Sequence, residues 1–400
     1  MATVSLTQRA AADAVDALSR TSLAVNGYFW PMPHVGSGQY LHQLLPALAD
    51  LSPAGDRALM VMADVDTPPR GARVVAWRSP VSSGILGDAA KTWFEQVAFP
   101  RRAAQADLAF VPYFAPPLNP TVPTVVTVHD LIPLALPAYR GSPLARAYFR
   151  LAQAALPRAA HIITDSEFSR RDILLRFSIS PDRVTAIPLA PAARFRPADS
   201  HAIAAVRARY GLPQAFILYM GGYDVRKEIG TLLTAYAHLR ASGYDVPLVC
   251  AGGLPNDSEV TPDPRRQAAT LGLTDVLFPG RIPAEDQPAL LSAATVFVFP
   301  SRYEGFGLPP LEAMACGAPT IVANATSLPE VVGDAALLFA ALDWDALAET
   351  LRRALDDADL RADLRRRGLQ QAARFTWATT AAQTQAVFAR ALVERYSTHR

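Results

Sequence analysis

Two short stretches hold residue types able to act on a charged, hydroxyl-rich ligand. In "ILYMGGYDVRKEIGTLLTAYAHL", from Ile217, an apolar run leads into Gly221 and Gly222. Arg226 and Lys227 then open a helical pattern. Cations at a helix start oppose the helix dipole, so stability alone does not account for them. They suit a diphosphate, which Arg engages in bidentate fashion and Lys meets as a point charge. In "SRYEGFGLPPLEAMACG", from Ser301, the acids Glu304 and Glu312 flank Gly305, Phe306, Gly307, Leu308 and a double proline. The glycines allow a turn that other residues resist. Pro309 fits the first helical turn, where a missing N–H costs nothing, and Gly317 is a natural stop. Free amides at such a helix start favour an anion. Glu312, placed in the first turn, would accept hydrogen bonds from the hydroxyls of a sugar or ribose.

A third candidate is His129 in "VVTVHDLIPL", at a strand's carboxyl end and followed by Asp130. Ligands of parallel sheets bind at that edge. Three D-x-D pairs, Asp64/Asp66, Asp343/Asp345 and Asp357/Asp359, resemble metal-binding pairs. Asp343 precedes an amphipathic helix and reads as its N-cap, so the metal role is rejected. Neither G-x-G-x-x-G after Met220 nor a Walker A loop occurs.

These residues need a scaffold, and the chain supplies an α/β one. Short apolar runs alternate with helical patterns, which argues for parallel, doubly wound sheets. Strands are expected at Leu23–Val25, 58–62, Leu108–Val111, 124–129, His161–Thr164, 216–220, 247–251, 276–279, 295–299 and 320–323. At 400 residues the chain exceeds a single core. We expect an extension at 1–20, an N-terminal domain at 21–190, a linker at 191–212 beside the proline-rich 188–200, a second domain at 213–377, and a C-terminal helix at 378–400 packing back on the first. The fold class is thus two Rossmann-like domains facing across a cleft.

Composition narrows the partners. Half of the residues are hydrophobic and the net charge is +2, without the basic field of a nucleic-acid binder. Two cysteines, Cys250 and Cys316, build neither a disulfide framework nor a zinc cluster, and point to a reducing cytoplasm. No run of about 18 apolar residues occurs. "KTWFEQVAFPRRAA" at 91–104 sets Trp93, Phe94 and Val97 at helical spacing beside Arg101 and Arg102, either core packing or a basic amphipathic contact with anionic lipid.

Together the motifs resemble glycosyltransferase family 4, retaining enzymes of the GT-B type. The resemblance is densest from Pro279 to Phe339 and extends to "YMGGYDVRK", "VVTVHDLIPL", "ITDSEFSRRDIL" and "RFTWATTA". Within the family the chain looks most like the bacterial mannosyltransferase B-like group. The resemblance implies a nucleotide-diphosphate sugar donor, GDP-mannose, bound by the second domain. It implies a saccharide or polyprenyl-linked acceptor on the first, in surface polysaccharide synthesis at the cytoplasmic face of the inner membrane. Other nucleotide sugars, and a non-catalytic sugar-nucleotide binder, are the alternatives. Arg226 and Lys227 would hold the diphosphate, with no metal needed, and Glu312 the ribose. Glu304 and the amides from Gly305 to Leu308 would contact the sugar and its phosphate. Gly221 and Gly222 would lead into the site, His129 would reach the donor sugar, and Gly36 and Gly38 in "HVGSGQY" would face the phosphates. Two mechanisms stay open: front-face attack with the phosphate taking the acceptor proton, or Glu304 as covalent nucleophile. Where the family has Asn after the Arg-Lys pair, this chain has Glu228, expected to cap its helix.

Overall fold

The structure, a computed structural model, describes residues 21–51, 59–63, 72–76, 84–139 and 141–397. The extension expected at 1–20, and Asp64 and Asp66, lie outside them. The chain divides into two units, one of residues 1–135, 140–188 and 377–400, the other of 136–139 and 189–376.

In the first unit, seven parallel strands form one sheet among the described residues: β1 (Leu23–Asn26), β2 (Leu59–Ala63), β3 (Ala72–Ala76), β4 (Leu108–Val111), β5 (Thr124–Thr127), β6 (His161–Thr164) and β7 (Val184–Ala186). Their order is β3-β2-β1-β4-β5-β6-β7, so the direction of winding reverses between β1 and β4. At that switch point the connections leave on opposite faces and open a crevice at the strands' carboxyl ends. β1, β4, β5 and β6 are buried along their whole length, as strands covered on both faces must be.

The second unit repeats the plan with β8 (Ile217–Met220), β9 (Leu248–Ala251), β10 (Leu277–Gly280), β11 (Val296–Phe299), β12 (Thr320–Asn324) and β13 (Leu337–Ala340). The order β10-β9-β8-β11-β12-β13 puts the reversal between β8 and β11. Both units are therefore Rossmann-like. The register Val296↔Ile217 and Phe297↔Leu218 brings the loops after β8 and β11 side by side, although some 78 residues separate them in sequence.

Three strands, β3, β7 and β13, were not expected. The segment expected as a linker holds a helix, Ser200–Tyr210. The Asp199 carboxylate caps it from Ala202 N at 2.8 Å, and Gly211 ends it at φ 62°. The helix Trp377–Ser397 belongs to the first unit, where Thr380 Oγ1 donates to Pro188 O at 2.7 Å. Among the described residues no helix is long and apolar enough to cross a membrane.

Candidate active site

The loop after β8 is shaped by close packing. A Cβ on Gly221 would lie 2.9 Å from the Tyr219 hydroxyl, and one on Gly252 would lie 2.1 Å from Gly221 O. Gly222 is less constrained, its Cβ position being 3.5 Å from Asp224. The chain then forms a short 3-10 turn, Val225–Lys227, before the helix Ile229–Ala241. Arg226 and Lys227 therefore precede that helix rather than open it, because Glu228 takes a left-handed conformation (φ 51°) and breaks the helical run.

Arg226 is held by two carboxylates. Its Nε lies 3.0 Å from Asp224 Oδ1, and its Nη1 donates to Glu304 Oε1 at 2.6 Å and to Tyr303 O at 3.1 Å. Lys227 Nζ donates to the same Glu304 oxygen at 2.6 Å and stands 4.6 Å from the Phe299 ring centre. Ser301 Oγ donates to that oxygen as well, at 2.6 Å. Burial alone would raise the Glu304 carboxyl, but Lys227 and Arg226 outweigh it and hold it below its ordinary value. Burial pulls Lys227 below its ordinary value, more than Glu304 restores. The turn Pro137–Tyr139 groups with this unit, and the Tyr139 hydroxyl donates to Asp224.

The loop after β11 fixes Glu304 by its backbone. Glu304 N donates to Thr326 Oγ1 at 3.0 Å, and Ser327 Oγ donates to Glu304 O at 2.9 Å and Phe306 O at 2.6 Å. Gly307 sits at φ 127°, where a side chain would be strained, and a Cβ there would also approach Leu328 Cδ2 to 2.9 Å and force that side chain to shift. The helix begins at Leu308. Pro309 and Pro310 carry no N–H, and Leu311 N bonds Gly307 O at 3.3 Å. Of the first three helical residues only Leu308 has an amide to offer, which narrows the anion-binding expectation to Leu308 and the loop before it. The Phe306 ring is buried and meets Phe375 edge-on at 5.9 Å, so only its backbone could serve the role expected of this loop.

Glu312 is corrected in place. It is the fifth residue of the helix Leu308–Ala315, in the second turn, because the helix starts at Leu308 and not later. It is half-buried, and burial pushes its carboxyl up to about 8, with Arg194 opposing. Glu228 does not cap backbone amides. Its carboxylate accepts from Thr231 Oγ1 at 3.3 Å and pairs with Arg302 Nε at 3.2 Å. Asp343 does cap its helix, accepting from Ala346 N at 2.9 Å.

The remaining candidates lie in the first unit. His129 follows β5, and the register Thr127↔Ile163 brings it beside Asp165 after β6. Its Nδ1 is 2.8 Å from Asp165 Oδ2 and its Nε2 is 3.1 Å from Pro112 O. Both neighbours are acceptors, so the ring fits as a doubly protonated imidazolium donating to each. Burial lowers its pKa, but Asp165, Asp130 and the Pro112 carbonyl prevail and the net shift is upward. Tyr40 meets the ring edge-on at 4.8 Å. Gly36 and Gly38 are the first and third residues of the helix Gly36–Asp50. A Cβ on Gly38 would lie 2.0 Å from Met32 O, whereas Gly36 faces open space. Phe94 is core and Trp93 is 52% exposed, which splits the amphipathic pattern expected there.

The structure thus joins Arg226, Lys227 and Glu304 into one cluster, with Gly221 and Gly222 leading into it. Asp224, Ser301, Thr326, Ser327 and Tyr139 complete it and escaped the sequence reading, as did Asp165 beside His129. Thr326 and Ser327 stand just before a Leu-Pro pair, a helix-start signal that marks them in retrospect.

Comparison with known proteins adds to this geometry. The family described as Glycosyl transferases group 1 matches residues 205–371, and Glycosyltransferase Family 4 matches residues 35–190. The O-antigen chain mannosyltransferase B of Escherichia coli is 36% identical over 262 residues, 65% of this chain and 68% of that protein. The serotype-specific mannosyltransferase WbdA of Escherichia coli is 36% identical over 268 residues, 64% of this chain and 32% of its own, so the chain spans about a third of WbdA. Among solved structures, sucrose-phosphate synthase from Thermosynechococcus elongatus superposes with TM-score 0.70 at 24% identity, covering 95% of this chain and 100% of the other. Anabaena Alr3699/HepE in complex with UDP and glucose superposes with TM-score 0.71 at 18% identity, covering 94% and 100%. At these identities the structures speak for the fold.

Proposed function

Because this chain belongs to the family 4 glycosyltransferases of the GT-B type, we propose that it moves mannose from GDP-mannose onto a lipid-linked saccharide, with retention of anomeric configuration, in O-antigen-type polysaccharide synthesis at the cytoplasmic face of the membrane. The sugar and pathway rest on the 36% identity to Escherichia coli mannosyltransferases. The chemistry rests on one observation: Arg226 and Lys227 converge on a single oxygen of Glu304.

Cleaving the sugar–phosphate bond builds negative charge on the leaving diphosphate, and two fixed cations in a closed site stabilise it without reorganisation. Arg226 and Lys227 thereby supply the charge that a metal ion would otherwise bring. Glu304 accepts three hydrogen bonds on one oxygen and its carboxyl is held low, which makes it a weak nucleophile. We assign it instead to positioning the two cations and the sugar, with the departing phosphate taking the acceptor proton. Both ring nitrogens of His129 are already engaged, by Asp165 Oδ2 and Pro112 O, so any role of its ring toward the donor sugar would require one of those bonds to open.

Melting the protein with GDP-mannose, UDP-glucose and dTDP-rhamnose tests the donor, since a ligand selective for the native state raises the midpoint. Stabilisation by GDP-mannose, followed by mannose transfer in the presence of EDTA, is the expected result. Stabilisation by a UDP-sugar alone would overturn the mannose assignment, and loss of transfer in EDTA would overturn the metal-free one.

A further inference from the structure

The first unit contains a second constellation that the donor chemistry leaves unused. Glu95 is 1% exposed and sits in a single π-helical turn, Phe94–Ala98, between the helices Gly84–Trp93 and Phe99–Ala103. Lys91 Nζ lies 3.1 Å from Glu95 Oε1 and donates to the Tyr148 hydroxyl at 3.0 Å, and that hydroxyl donates to Glu95 Oε2 at 3.0 Å. Four rings surround the ammonium, with centres 5.7 Å (Tyr28), 5.8 Å (Phe29), 5.5 Å (Tyr113) and 4.5 Å (Tyr148) away.

Stability does not explain this arrangement. A buried ion pair seldom repays its desolvation, and π-turns gather at functional sites. Position does explain it. Tyr28 and Phe29 follow β1 and Tyr113 follows β4, so the rings stand at the carboxyl ends of the two strands that flank the switch point. Lys91, Tyr28, Phe29 and Tyr148 remain partly open to solvent, and Tyr113 and Glu95 form the closed floor.

We propose that this cluster is an acceptor subsite that binds a neutral pyranose, the ring's C–H face against Tyr28 and Phe29 and its hydroxyls on Lys91 and the Tyr148 hydroxyl, both held from beneath by the buried Glu95. The inference rests on the mannosyl-transfer reading above. Glu95 neutralises the Lys91 ammonium from beneath, so the subsite carries no net charge and selects against a phosphate, while the ammonium and the Tyr148 hydroxyl meet sugar hydroxyls. Aromatic walls with a few convergent polar groups are the usual lining of such a site.

The test uses the whole protein, GDP-mannose and α-linked mannobiose as acceptor. Tyr148→Phe and Tyr28→Ala should each raise the mannobiose KM by about tenfold, the worth of a charge-assisted contact. Both should erase its saturation-transfer NMR signal while the GDP dissociation constant stays put. Lys91→Met leaves the buried Glu95 without its cation and destabilises the unit, so Lys91→Met/Glu95→Leu is the companion variant, with the same expected loss. Transfer by the wild type with unchanged mannobiose KM in the variants overturns the subsite alone. Competitive displacement of mannobiose by inorganic phosphate overturns its neutral character. Absence of mannosyl transfer and of mannobiose binding in the wild type overturns the subsite and the parent reading together.

Discussion

Lys227 Nζ and Glu304 Oε1 meet at 2.6 Å with side chains only 8% and 11% exposed, and Arg226 shares the same oxygen. The resting site is therefore balanced: Glu304 occupies the cations that a diphosphate would need. Glu304→Gln keeps the shape and removes the competing charge. It should tighten GDP binding by about three- to tenfold and lower kcat by about a hundredfold, since the cations are then no longer aimed by it. Calorimetric titration with GDP beside initial-rate measurement checks both. Weaker GDP binding in the variant would show that Glu304 does not compete with the diphosphate.

Removing a cation has the opposite character. Lys227→Met leaves a buried carboxylate with one partner fewer, and should cost about 3 kcal/mol of stability as well as activity. Glu304 is held below its ordinary value of 4.5, so its contribution is present above that value and lost as pH falls through the folded pKa. Urea unfolding of wild type and Lys227→Met at pH 7 and below 4 should therefore converge in acid.

Tyr139 reaches Asp224, which holds Arg226 at Nε. Tyr139→Phe should leave the fold intact and raise the donor KM by about two- to tenfold, because one charge-assisted hydrogen bond no longer fixes the Arg226 support. An unchanged donor KM would reduce Tyr139 to a packing residue.

Much of this site was legible and some was not, for physical reasons. Glycine turns, the Arg-Lys pair and the proline-marked helix start are local signals, and each lies in one loop. What joins them is the register of β8 on β11, which no local pattern contains. His129 and Asp165 are joined the same way, by β5 on β6 across 36 residues. The hydroxyls of Ser301, Thr326 and Ser327 act singly on Glu304, without a period to betray them. β7 has three residues, too few to carry a period, and β13 is an edge strand with Leu338 40% exposed. The Glu228 departure is now clearer. It sits in a left-handed conformation, which Asn adopts more readily than Glu.

That conformation makes a prediction. Glu228→Asn should relieve backbone strain of about 1 kcal/mol and forfeit an ion pair with Arg302 of lesser worth, raising the melting midpoint slightly. Arg302→Ala should instead free the Glu228 carboxylate and weaken GDP binding, and adding Glu228→Asn should restore it. Failure of that rescue would separate Glu228 from the donor site.

Glu312, if it holds the ribose, would give donor binding a pH dependence of its own. Burial pushes its carboxyl up to about 8, above the ordinary 4.5. An acid raised on folding holds its proton in the native state, so its stability is complete below the unfolded pKa and is lost as pH rises through about 8. His129, raised above 6.5, loses its contribution in the same direction. A ribose held by an ionised Glu312 reverses the preference, because binding favours the carboxylate. GDP affinity should therefore climb with pH up to about 8 and then level, while the free protein's melting midpoint declines over the same range. Glu312→Gln should flatten the affinity profile and leave the decline due to His129. Parallel pH series of calorimetric binding and melting on both proteins check this. An affinity in the wild type that does not change between pH 6 and 8 would remove Glu312 from the nucleotide site.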